Sequence, residues 1–236
     1  MMDNNRIDHL SGYTIMEEFE MKKVLFLVDD YWHKGDTIKP LAGILSSQDD
    51  WTVVYTTNPD DLYDNTDIDL LISFKDPIEN DQIPTPVWCD DKWNETFLKM
   101  IESGVGFIAV HAATTDLDEN HPLVSDLIHA VFVNHPEQCE VSIRVSKAHP
   151  ICEGVKDFTL PVFDEHYQMK ILDDKRITIL AETVSKNGIQ PGLWVSEFGK
   201  GRICCFTPGH TTDSLICDGY VKIMKNAIDW CMRMKD

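Results

Sequence analysis

Gly104-Val105-Gly106-Phe107-Ile108-Ala109-Val110-His111-Ala112-Ala113-Thr114-Thr115 is the stretch from which the fold is read. A glycine opens it, an apolar run of strand length follows, and a histidine, two alanines and two threonines close it. A run so short and so apolar predicts a buried strand that hands a polar side chain to a tight turn. In open α/β sheets ligands collect at the carboxyl ends of strands, so His111 stands where a site is expected. A histidine in that place also serves as a structural hydrogen-bonder, and its meaning depends on what else reaches the same edge.

Upstream, the same pattern recurs. Val24-Leu25-Phe26-Leu27-Val28 is a second apolar run, and it ends abruptly in the polar, aromatic loop Asp29-Asp30-Tyr31-Trp32-His33-Lys34-Gly35. Helical spacing at Ile38, Leu41, Ile44 and Leu45 predicts a helix over 36–47, although Pro40 suits only the first turn of one. Strands are predicted at 51–56 and 69–74. A helix over 92–103 places Trp93, Phe97, Met100 and Ile101 on one face and is stopped by Gly104. Such βα alternation implies a mainly parallel sheet with helices on both faces. The proline-containing segment 75–88 reads as a lid or an excursion. Residues 1–21 read as a polar tail or lead-in and 22–236 as one domain.

Downstream the pattern loosens. A short helix over 121–129, extended segments at 139–145, 158–163 and 177–183, and a closing amphipathic helix over 214–232 are predicted. Leu193–Phe198 and Arg202–Thr207, joined through Gly199-Lys200-Gly201, form an added β-hairpin.

Composition bounds the function. With 43% hydrophobic and 26% charged residues the chain can bury a sizeable core. Its 21 basic and 40 acidic residues give a net charge of −19, which argues against nucleic acid and anionic membrane as partners. No apolar run nears the roughly 18 residues of a membrane span, and no secretory leader is evident, so a cytoplasmic protein is expected. The seven cysteines include no C-x-x-C pair and read as reduced, mostly buried thiols.

Polar groups then recur at apparent strand ends: His33, His111, the segment Asp164-Glu165-His166-Tyr167, and His210 in Pro208-Gly209-His210-Thr211-Thr212. On a parallel sheet these ends converge, and histidines with a carboxylate can exchange protons near neutrality or hold a borderline divalent cation. The same groups could instead form a buried polar network. Adjacent carboxylates on an extended segment face opposite ways, so Glu165 is the one expected beside Tyr167, while Asp164 reads as part of a solvated turn. His135 and His149, each followed by proline, read as loop-positioning elements, His135 also as a contact to substrate. Trp32 and Trp194 could offer platforms for a sugar ring, although tryptophan commonly packs in cores.

Taken in order, Gly106–Ala113, His149-Pro150-Ile151 with Gly154, Asp164–Tyr167, Trp194, Gly199-Lys200-Gly201-Arg202 and Gly209-His210 resemble the ThuA-like, trehalose utilization family over roughly 22–234. The resemblance implies a flavodoxin-like, class I glutamine amidotransferase-like fold. In amidotransferases the corresponding elbow carries a nucleophilic cysteine; here His111 takes its place, and imidazole cannot form the glutamyl thioester, so amidotransferase activity is not expected. What the resemblance implies instead is a sugar-processing protein acting on a disaccharide or keto-sugar derivative. His111, Glu165 and His210 would be its catalytic groups, or the ligands of a divalent metal such as zinc. His33, His135, Tyr167 and Trp32 would contact the sugar. A non-catalytic carbohydrate-binding or regulatory protein is the alternative, and a hydrolase built on Cys89 a third. Assembly as a homo-oligomer is left open, and so is the direction in which His166 points.

Overall fold

The apolar run after the lead-in forms β1 (Lys22–Leu27), whose alternate residues enter two separate cores: Val24 and Phe26 on one face of the sheet, Leu25 and Leu27 on the other. The computed structural model describes residues 21–47, 51–82 and 84–234, so the tail expected at 1–21 lies, apart from Met21, outside the described residues. In chain order there follow α1 (Gly35–Ser46), β2 (Trp51–Thr56), α2 (Asp61–Asp64), β3 (Leu70–Ser73), α3 (Asp91–Ser103) and β4 (Gly106–Val110). Next come β5 (Ala130–Asn134), β6 (Ser142–Val145), β7 (Phe158–Thr159), β8 (Gln168–Ile171), β9 (Thr178–Ser185), β10 (Gly188–Phe198) and β11 (Gly201–Phe206). The short α4 (Thr212–Leu215) and the long α5 (Asp218–Cys231) end the chain.

Nine strands form one sheet in the order β2-β1-β3-β4-β11-β10-β9-β6-β7. The first five are mutually parallel and the remainder antiparallel. Every residue of β3 and β4 is buried, as continuous apolar runs require when helices cover both faces. α1, α4 and α5 pack one face through Ile38, Leu41, Leu215, Ile223 and Ile228, and α3 covers the other through Trp93, Phe97 and Ile101. The hairpin β10–β11 is built into the sheet: β11 returns antiparallel to β10 and pairs parallel with β4, so its carboxyl end joins those of β1, β3 and β4. Its turn needs Gly199, which sits at φ 58.

Several boundaries differ from the sequence reading. α1 carries Pro40 beyond its first turn. Residues Leu123–Ile128 form a π-helical turn, and the closing helix is divided, because Cys217 is extended between α4 and α5. β5 and β8 pair antiparallel as a separate two-stranded sheet. No helix among the described residues is long and apolar enough to cross a membrane.

Candidate active site

β4 delivers His111 into a 3₁₀ turn, and the residue adopts φ 48, an uncommon conformation for a side chain other than glycine. Thr114 Oγ1 donates to the His111 carbonyl at 2.7 Å. The ring is 2% exposed, and its Nδ1 lies 2.8 Å from the Thr207 carbonyl at the end of β11. A carbonyl only accepts, so Nδ1 carries a proton and the ring turns Nε2 inward. Around Nε2 stand the Tyr167 hydroxyl at 3.1 Å, Glu165 Oε2 at 3.4 Å and His210 Nδ1 at 3.4 Å.

His33 is held in the same way from the end of β1. The buried Asp30 carboxylate accepts from the backbone N–H groups of Trp32 and His33 at 2.7 and 2.5 Å, and it lies 3.1 and 3.2 Å from His33 Nδ1. Burial raises the Asp30 carboxyl, but its bonds to His33 and to the Asp76 N–H outweigh this and bring it below the usual carboxylate range. Desolvation lowers the His33 pKa, against the pull of Asp30. The His33 ring meets those of His111 and His210 edge-on, at 5.0 and 5.2 Å.

The segment Asp164–Tyr167 resolves by alternation. Glu165 and Tyr167 face the cluster, whereas His166 turns away to Thr183 Oγ1 at 3.1 Å and Ser185 Oγ at 2.7 Å. Asp164 corrects the expectation of a solvated turn. It is 0% exposed and accepts from the N–H groups of Gly209 and His210, which fixes the loop after β11. Glu165 reaches His210 Nδ1 at 3.3 Å and His135 Nε2 at 3.7 Å. Burial raises its carboxyl, but hydrogen bonds and charge from His111 and His210 dominate and hold it well below the ordinary value. The same bond to Glu165 raises the pKa of His210. Burial pushes the Tyr167 hydroxyl well above 10, so it remains a donor.

One ligand atom from each of His33, His111, Glu165 and His210 lies within 4.8 Å of all the others. Three imidazoles and a carboxylate are a suitable donor set for a borderline divalent cation, and the Nδ1 partners of His33 and His111 are the outer-shell acceptors that usually orient such ligands. His33 is expected from the sequence as a substrate contact, and the geometry adds it to the expected trio.

A cavity of about 300 Å³ opens over this cluster. Trp32, His33, His135, Glu165, Tyr167 and His210 line it, so the expected site residues come together, with His111 buried behind them. Phe132 on β5 lines it too, and so do Asp76, Thr115 and Asp116, none of which the sequence reading singles out. Asp76 comes after β3 as His33 comes after β1, and the strand-end rule could have found it. Trp194 is no platform: it is fully buried, and its Nε1 donates to the Ile128 carbonyl. Cys89 is buried beside His121, its thiol pushed up to about 12 by desolvation. A larger groove of about 800 Å³ lies over 145–153, where His149 Nδ1 accepts from Ile151 N–H and positions its loop as expected.

The family described as ThuA, trehalose utilisation, matches residues 23–231. The chain belongs to the ThuA family. No curated protein matches it by sequence. Among solved structures, a ThuA-like protein from Bacteroides uniformis is 18% identical over 89% of this chain and 91% of its own, with a TM-score of 0.70. A β-galactosidase from Rahnella sp. R3 is 12% identical over 92% of this chain but only 32% of its own, with a TM-score of 0.61. A GMP synthase subunit from Thermoplasma acidophilum is 15% identical over 91% of this chain and 96% of its own, with a TM-score of 0.54. At such identities these likenesses establish the fold, an α/β architecture of the glutamine amidotransferase type. In this ThuA chain the residue after β4 is His111, and no cysteine among the described residues lines the cavity.

Proposed function

We propose that this ThuA-family chain processes a small carbohydrate, a disaccharide or keto-sugar derivative, in the cavity over His33, His111, Glu165 and His210. The observation that carries the reading is the convergence of those four side chains beneath a cavity of about 300 Å³, with the indole of Trp32 at its rim. Trp32 is 49% exposed and offers an apolar ring face, while the groups below it are polar and suited to hydroxyl and carbonyl oxygens. Glu165, kept ionised, serves as base or ligand, and His210, whose pKa Glu165 raises, serves as the proton donor. Tyr167 donates a hydrogen bond, and His135 meets the sugar from the outer side. The donor set suits zinc or a similar cation, which would polarise a sugar oxygen. Seven free cysteines and the strongly acidic composition support a cytoplasmic protein with no nucleic-acid partner, and residues 22–236 are read as one domain.

The test is elemental analysis of the purified chain, followed by turnover and calorimetry with trehalose and its keto derivatives. Activity is expected in the wild type and its loss in both His111→Ala and His210→Ala. Unchanged turnover in the two variants would overturn the assignment. Binding without product, with and without divalent cations, would favour a carbohydrate-binding or regulatory role.

A further inference from the structure

The two ends of β11 serve different surfaces. Its carboxyl end leads to His210 at the cavity over the histidine cluster, whereas its first residues lie at the opposite edge of the sheet, where Arg202 stands across from Glu197 on β10. At that edge the groove of about 800 Å³ over 145–153 and a second hollow of about 390 Å³ share His149 as a common wall. His149 Nδ1 accepts from the Ile151 N–H at 3.2 Å, so the proton of the ring sits on Nε2. That Nε2 has no partner among the described residues and is left as a donor. Lys147 stands exposed in the first hollow and Arg176 in the second. Arg176 Nη1 donates to the Ser125 carbonyl at 3.1 Å; its other N–H groups and the Lys147 ammonium have no hydrogen-bond or ion-pair partner among the described residues. On a chain of net charge −19, two such cations beside a spare N–H donor are a local exception that draws an anion.

We propose that this groove is a second ligand site, which takes a phosphate monoester of a small polyhydroxylated molecule on His149, Lys147 and Arg176. A guanidinium, an ammonium and a neutral N–H are donors that phosphate oxygens accept from. A phosphate monoester carries about −1.5 to −2 charges at neutrality and so matches both cations, where a carboxylate would leave one unmatched. The space on either side of His149 exceeds what a bare phosphate ion fills, and Ser146, Glu153 and Thr178 in its lining can hydrogen-bond hydroxyl groups. Glu197 lies 3.9 Å from Arg202 Nε, which offsets its charge beside the anion. A nucleobase finds no platform there. The Trp230 ring is 6% exposed, with the Arg202 guanidinium 4.9 Å from its centroid and the His149 ring edge-on at 5.0 Å. Burial, and after it the charges of Arg202 and Lys147, lowers the pKa of His149, so the ring stays a neutral donor near neutrality. No step of the carbohydrate reading uses this groove, and the two stand or fall separately.

The test is calorimetry and thermal unfolding of the full chain with glucose 6-phosphate, glycerol 3-phosphate, inorganic phosphate and glucuronate. At least one of the two esters is expected to bind and to raise the melting temperature, with inorganic phosphate and glucuronate weaker. Lys147→Gln and Arg176→Gln, both on exposed side chains, are each expected to weaken ester binding by about tenfold or more, as the loss of a hydrogen bond to a charged group implies, with the melting temperature of the free protein unchanged. Glu165→Gln, in the other cavity, should leave ester affinity as it is. Binding of neither ester, equal affinity in the wild type and both cation variants, or a loss seen only in Glu165→Gln would overturn the site. Inorganic phosphate or glucuronate bound as tightly as the better ester would overturn the class of ligand assigned to it.

Discussion

The two halves of the sheet bury histidines for opposite ends. At the carboxyl edge of the parallel half, His111 spends one nitrogen on the Thr207 carbonyl and keeps the other turned toward Glu165, His210 and Tyr167. Over the antiparallel half, His166 is 1% exposed and spends both nitrogens, on Thr183 and Ser185. The difference lies in the ends of the elements. Parallel strands finish together and leave their last side chains facing a shared opening, whereas antiparallel neighbours close each other's polar groups through their own ladder and hydroxyls. A histidine that keeps one nitrogen among other titratable groups beneath a cavity can react; one with both nitrogens committed to the hydroxyls of neighbouring strands holds the fold.

The strongest way to break this contrast is Glu165→Gln. The carboxylate is the common partner of His111, His135 and His210, so its neutral isostere removes the charge without altering shape. Turnover of a confirmed sugar is expected to fall by about 10²-fold or more, the range for a general acid–base group. Cation content of the purified variant should fall with it. An activity within a few-fold of wild type would remove the cluster from the chemistry.

His166→Ala tests the other side. It leaves the Thr183 and Ser185 hydroxyls and a buried space without their partner, and should lower stability by about 1–3 kcal/mol with sugar affinity unchanged. Thermal unfolding and calorimetry on the same preparation separate the two effects. A variant that keeps its melting temperature and loses binding would reverse the roles assigned to the two halves.

An effect visible only as a function of pH is expected from Asp76→Asn. The folded-state pKa of Asp76 is raised from 3.8 to about 7. Its contribution to stability is therefore fully present below the unfolded value and is lost as pH rises through about 7. The asparagine variant lacks that loss, so its melting temperature should gain on the wild type between pH 4 and pH 7. Parallel pH curves for the two proteins would place Asp76 among ordinary carboxylates.

The legibility of the chain divides along the same line. β1, β3 and β4 announce themselves as apolar runs because both of their faces are largely buried, and His33, His111 and His210 are found by asking which polar residues follow within a few positions of such runs. The alternation of an extended segment is enough to turn Glu165 and Tyr167 inward, whereas the direction of His166, left open by the sequence, is decided by its bonds to Thr183 and Ser185. The strand-end rule reaches Asp30 and Asp76 too, but aspartates after strands are common in turns, and only the fold shows that these two are buried, Asp30 against His33 and Asp76 against Thr115. Asp164 is misread for a related reason: its partners, the N–H groups of Gly209 and His210, are remote in sequence. Gly219 in the first turn of α5 is likewise set by packing, because a Cβ there would sit 2.6 Å from the Phe158 ring on β7.

Trp32→Ala is expected to have the smallest effect. The indole is about half exposed at the rim of the cavity, and its ring meets that of Tyr31 edge-on at 4.5 Å. Little of the core depends on it, so the melting temperature should move by no more than about a degree or two. A sugar ring stacked on that indole would lose about 0.5–1.5 kcal/mol, the range for an aromatic pair beyond its buried area. At about 1.4 kcal/mol for each factor of ten, that is at most about a tenfold rise in KM, with kcat held because the reacting groups lie deeper in the cavity. A fall in kcat with KM unchanged would move Trp32 from recognition to chemistry. It would also show that the opening at the parallel edge works as one unit from the rim to His111, rather than as a binding rim above a reacting floor.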